Sequence, residues 1–152
     1  MLKSRLSLAL LVLVAVPFYA INAQFGEKHP YYLHALADLR TARWLIEHRP
    51  GDFAVQAREE GAIKEIDAAI REVKEAAIWD GKDIRDHVGV DARPEYGGRL
   101  RQALDLLRKV HHDVDREEDD PLLRGLKGRA LQHIDEAAHQ TEGALVDLEH
   151  HR

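Results

Sequence analysis

Ten histidines and a scatter of carboxylates are the side chains in this 152-residue chain best suited to chemistry. With no cysteine anywhere, imidazole is the only donor here that suits borderline metal ions. On a helix, residues three or four apart share a face. That spacing groups His133 with Glu136, Glu136 with His139, and His139 with Glu142. His111 and His112 with Asp115 form a second group, and His34 with Asp38 a third. Each could seat Cu(II), Ni(II) or Zn(II) weakly through two donors. The opposing reading is a solvated polar face. In a helix whose core direction lies near Ile134 and Thr141, His139 points to solvent and His133 lies on the flank. An antiparallel count about a turn near Asp119 sets His133 level with Asp105. It also leaves His112 about 10 Å away along the axis, too far to share one ion. The expectation is several exposed seats rather than one buried cage.

Other chemistries fail on residue type. Glu136-Ala-Ala-His139 is half of a di-iron carboxylate signature, but the matching stretch Asp67-Ala-Ala-Ile70 has no histidine. Covalent haem needs cysteine. The one methionine is Met1, so His/Met ligation goes as well, and no histidine sits on a core stripe except at best His111. Copper or another divalent transition metal is the expected cofactor class, and haem is not. Asp83, Asp86 and Asp91 lack the spacing and central glycine of a calcium loop. No nucleophile elbow, phosphate loop or His-Glu-x-x-His pattern occurs, and the chain reads as non-enzymatic.

The elements that must position these groups are helices. Residues 1–23 read as a removable export signal. Lys3 and Arg5 open it, Leu6 to Val16 are apolar but for Ser7, and Pro17 precedes a small-residue exit at Ala23. Eleven residues are too few to span a bilayer core of about 30 Å. Periplasm or secretion is the implied location. The remaining stretch, residues 24–152, holds 20 basic against 27 acidic residues, a formal charge of −7. Such an acidic chain should repel nucleic acid and anionic lipid. Without disulfides it depends on its core, which about 129 residues can supply.

That stretch reads as one domain of four helices. The first opens at His29-Pro30 and runs to about His48, with Tyr32, Leu36, Leu39 and Ile46 as its stripe and Leu33 and Trp44 widening it. The second runs from about Ala54 to Trp79. Its heptad seam is Ile63, Ile66, Ile70, Val73 and Ala77, flanked by Ala62, Ala69 and Ala76. The third, Tyr96 to Arg116, uses Leu100, Leu104, Leu107, Val110 and Val114. The fourth is expected to start at Asp120-Pro121, an N-cap followed by proline. It carries Leu123, Leu126, Ala130, Ile134, Ala137, Thr141, Leu145 and Leu148. No segment alternates at period two. A shift of 68 residues lays Ala62–Ile78 on Ala130–Val146 with apolar positions in phase. The implied fold is an all-α four-helix bundle built from two helix hairpins. The link from Asp80 to Glu95 is long for a bundle and is either functional or a crossover along the bundle. Asp67 and Asp135 recur at equivalent positions, and Asp67 is expected to bridge to Arg40.

The segment Leu131 to Leu145, LQHIDEAAHQTEGAL, resembles the small histidine-rich metal-binding proteins of bacterial periplasms. The likeness covers about a tenth of the chain. It implies a four-helix bundle binding Cu(II) and related ions at exposed histidines, here His133, Glu136, His139 and Glu142. The second helix carries no histidine, a departure from that pattern. The competing expectation is an envelope interaction or stress protein. It would dock a partner through a helical face, marked by Tyr31, Trp44, Trp79 and Tyr96 in one patch. The seam of the second helix could also serve a homodimer.

Overall fold

The computed structural model describes residues 30–48, 56–79, 96–117 and 125–150. The expected export signal at 1–23 and the carboxylates between Asp80 and Glu95 lie outside them. Four helices and no strand occur among the described residues: α1 (Pro30–Glu47), α2 (Gln56–Trp79), α3 (Tyr96–Arg116) and α4 (Leu126–His150). None is long and apolar enough to cross a membrane.

Side-chain pairs fix the directions. Tyr31 meets Glu117 and Leu45 meets Arg99, so α1 and α3 run antiparallel. Arg58–Asp147, Glu65–His133 and Glu72–Arg129 make α2 and α4 antiparallel. Arg101–Glu149, Arg108–Glu142 and His111–Asp135 do the same for α3 and α4. Each helix packs closely on two others, the close neighbours among the described residues being α1/α2, α1/α3, α2/α4 and α3/α4. This is a four-helix bundle of two hairpins, α1–α2 and α3–α4. The end of α2 lies at the end of the bundle where α1 begins, whereas α3 begins at the level of Leu45. Residues 80–95 therefore join opposite ends of helices about 36 Å long.

The expected stripes form the core. Tyr32, Leu36, Leu39 and Ile46 on α1 and Leu100, Leu104, Leu107, Val110 and Val114 on α3 are buried. So are Leu126, Ala130, Ile134, Ala137, Thr141, Leu145 and Leu148 on α4. One expectation needs correcting. On α2 the buried line runs through Ala62, Ile66, Ala69, Val73, Ala76 and Ala77, while Ile63 and Ile70 are only partly buried. The alanines are thus the centre of the face rather than its flank. A methyl group lets two backbones approach, so helices close where side chains are smallest and push bulky neighbours outward. Ala69→Leu is expected to cost about 1–3 kcal/mol by overpacking, measured by urea unfolding. The same burial leaves Ile66 and Val73 covered within the chain, so the central seam of α2 is not free to form a dimer.

The start of α4 also differs. It begins at Leu126, not at Asp120-Pro121, which lies outside the described residues along with Leu123. Gly125 has φ +92° and its carbonyl accepts the Arg129 N–H at 2.9 Å, so it caps the helix and breaks any helix running into it. Gly128, one turn inside, has open space where a Cβ would go. Gly128→Ala should therefore gain about 0.8–1 kcal/mol in thermal unfolding. Gly125→Ala should lose stability by about 1–2 kcal/mol, from the left-handed backbone.

The 68-residue shift extends to the whole fold. Tyr32/Leu100, Leu36/Leu104, Leu39/Leu107 and Ile46/Val114 are buried equivalents on α1 and α3. Ala62/Ala130, Ile66/Ile134, Ala69/Ala137 and Val73/Thr141 are buried equivalents on α2 and α4. At the last pair the added hydroxyl of Thr141 donates to the Ala137 carbonyl at 2.7 Å, which satisfies it inside the core. Glu65 and His133, 68 residues apart, meet each other across α2 and α4.

Candidate functional site: histidines and carboxylates along the fourth helix

The candidate ligands separate once the helices are placed. His133 lies on the flank of α4, as its angle from Ile134 requires, but it faces α2 and not Asp105 of α3. Its Nδ1 is 2.6 Å from Glu65 Oε2, with both side chains mostly covered. Glu136 accepts from Gln140 Nε2 at 2.7 Å. Glu142 lies 3.8 Å from Arg108 Nη2. His139 and His112 are exposed. Asp115 Oδ1 is 3.6 Å from Lys127 Nζ, which also donates to the Asp115 and Glu117 carbonyls at 2.7 and 3.0 Å. Lys127 thereby caps the end of α3.

His111 points across to α4, where its Nε2 lies 3.3 Å from Asp135 Oδ1. A groove of about 170 Å³ opens beside this pair, lined by Leu107, Arg108, His111, Ile134, Asp135 and Ala138. No sequence spacing linked His111 to Asp135, because they come from different helices. Their signal was indirect: Asp135 is the 68-residue equivalent of Asp67, itself expected to bridge helices.

That bridge exists with a different partner. Arg43 Nε, not Arg40, lies 2.7 Å from Asp67 Oδ1, and Arg43 Nη1 reaches Glu47 Oε2 at 2.6 Å. The antiparallel count erred by one turn. The hydrogen bond to Asp67 is the main reason the Arg43 guanidinium is held above its ordinary value, outweighing a smaller loss by burial. Between α1 and α3, Lys109 pairs with Asp38 and lies 3.4 Å from Asp113. The Asp38 hydrogen bond, ahead of other causes, raises the Lys109 ammonium above its ordinary value of 10.5. A raised folded-state value gives stability that is complete below the unfolded value and disappears as pH climbs through the folded one. Lys109→Met should therefore flatten the alkaline limb of a pH–stability curve above pH 10.5. The effect should stay under about 1 kcal/mol because Lys109 is solvent-exposed.

The remaining histidines among the described residues, His34, His48 and His150, are tied locally. His48 stacks on Trp44 with ring centroids 4.4 Å apart, and its Nδ1 sits 3.0 Å from the Trp44 carbonyl. His150 Nδ1 is 2.8 Å from the Val146 carbonyl. His34 meets the Tyr31 ring edge-on at 6.5 Å. Among the described residues no three histidine, aspartate or glutamate side chains gather tightly enough to hold an ion together. The aromatic patch does not form either. Trp44 lies near the end of α1, while Tyr31 and Trp79 lie at the opposite end of the bundle. The side chain of Tyr96 is outside the described residues. No protein-family model, curated protein or solved structure matches this chain.

Proposed function

We propose that this chain is an exported, non-enzymatic binding module that takes up divalent transition-metal ions weakly at histidines on its polar faces. One observation carries the reading: imidazoles stand at or near the surface beside carboxylates of neighbouring helices, as in His111–Asp135 and His133–Glu65. Two-donor seats leave most coordination positions to water and bind weakly. Isothermal titration with Cu(II), Ni(II) and Zn(II) tests this on wild type and on a variant with His133, His139, His111 and His112 all changed to alanine. Equal binding by the two proteins would remove the assignment.

A second reading has its own support. Ile78 and Trp79 are adjacent and exposed at 57% and 67% at the end of α2, a pair suited to anchoring in a partner's pocket. In that case a metal-free chain would lose a specific cross-linked envelope partner on Trp79→Ala and keep it on His139→Ala.

A further inference from the structure

We infer that His111 Nε2 and Asp135 Oδ1 form a two-donor seat for a divalent transition-metal ion, bridging α3 and α4 at the mouth of the adjoining groove. The inference rests on the metal-binding reading above and specifies where the first ion goes.

The internal similarity of the two hairpins supplies the argument. Under the 68-residue shift, Arg43–Asp67 becomes His111–Asp135, so the same clasp is built twice with different chemistry. In the first hairpin an obligatorily charged guanidinium closes on the carboxylate at 2.7 Å. Arginine has five donors and no lone pair to give, so that clasp can only be structural. In the second hairpin an imidazole occupies the arginine position, with a ligating nitrogen facing the carboxylate at 3.3 Å. That separation is loose for a charge-assisted hydrogen bond, which prefers about 2.7–2.9 Å. It matches one edge of a coordination tetrahedron, since nitrogen and oxygen donors at about 2.0–2.2 Å from zinc stand about 3.3–3.5 Å apart.

The surroundings suit the same use. His111 and Asp135 side chains are 40% and 66% exposed, so an ion reaches them without any opening of the fold. The groove of about 170 Å³ has an apolar floor of Leu107, Ile134 and Ala138. It leaves room for waters, or the donors of a small chelating ligand, to complete the coordination shell. Arg108 also lines the groove, but its guanidinium is directed to Asp105 and Glu142 at 3.7 and 3.8 Å. No other histidine among the described residues offers this geometry. His133 and Glu65 are only 2.6 Å apart, a hydrogen bond that must break before an ion enters. His48 and His150 each face a backbone carbonyl with Nδ1.

His111→Arg is the decisive variant, because it installs the clasp of the first hairpin and keeps the helices joined. Titration of the full chain with Cu(II) and Zn(II) is run on wild type, His111→Arg, Asp135→Asn and His139→Ala, alongside thermal unfolding. The inference expects His111→Arg to melt at or above the wild-type temperature while its tightest metal event weakens by at least about tenfold. Asp135→Asn should weaken the same event, and His139→Ala should leave it unchanged. Wild-type affinity in both His111→Arg and Asp135→Asn would overturn this seat while leaving metal binding elsewhere intact. Absence of any saturable binding by wild type would overturn both this seat and the broader reading.

Discussion

Ile66→Ala should lower the unfolding free energy by about 2–5 kcal/mol, whereas Ile78→Ala, on the same helix, should change it by no more than about 0.5 kcal/mol. The two residues differ only in where α2 presents them. Ile66 is fully buried on α2, level with its equivalent Ile134 by the neighbouring Glu65–His133 pair, and Ile78 is 57% exposed. Truncation at Ile66 removes buried methyl and methylene groups from a packed site whose neighbours, Ala62 and Ala69, are too small to fill the void. Urea unfolding checks both: the Ile66→Ala midpoint should fall with the slope unchanged, and the Ile78→Ala midpoint should stay in place. Equal shifts would mean that the buried line of α2 has been misplaced.

The second large effect belongs to Glu117→Ala, expected to cost about 1.5–3 kcal/mol. Glu117 is only 4% exposed, and its Oε1 accepts the Tyr31 backbone N–H at 2.7 Å. The N–H groups of the first turn of a helix have no partner inside it, and that end carries partial positive charge. A carboxylate from the end of α3 thus caps the start of α1. Nearby, Arg116 stacks over the Tyr31 ring at 4.8 Å, and Lys127 of α4 caps the carbonyls of α3. Three helices are tied at one end of the bundle by charge placed against helix termini. Glu117→Gln keeps an acceptor oxygen and loses the charge, so it should fall between wild type and alanine. Amide hydrogen exchange at Tyr31 should accelerate in the same order. Unchanged exchange in Glu117→Ala would show that the cap contributes nothing.

The stripes on α1, α3 and α4 were legible because burial of apolar groups at helical spacing depends only on one helix at a time. The boundaries of α3 follow for the same reason. Partner choice across helices was not legible. A heptad pattern repeats every two turns, so sliding one helix along another by a turn of 5.4 Å leaves its apolar match almost intact while changing every polar partner. That slip separates the expected Arg40–Asp67 bridge from the observed Arg43–Asp67 pair. His133 differs for another reason: it faces Glu65 on α2, and the Arg108–Glu142 pair sets Asp105 level with the part of α4 past Glu142 rather than with His133. His111 and Asp115, grouped by spacing on one helix, each meet a side chain of α4: Asp135 for His111 and Lys127 for Asp115.

By itself, the order of residues determined four amphipathic helices, their pairing as hairpins and the polar character of the histidine-bearing faces. These follow from local periodicity and from the cost of burying charge. The tertiary structure decided the rotation of α2 onto its alanines, the opposite ends of the bundle at which α2 stops and α3 starts, and the carboxylates that His111 and His133 meet. Those depend on axial offset and close approach between helices, which side-chain volume and end capping fix only after the chain has assembled.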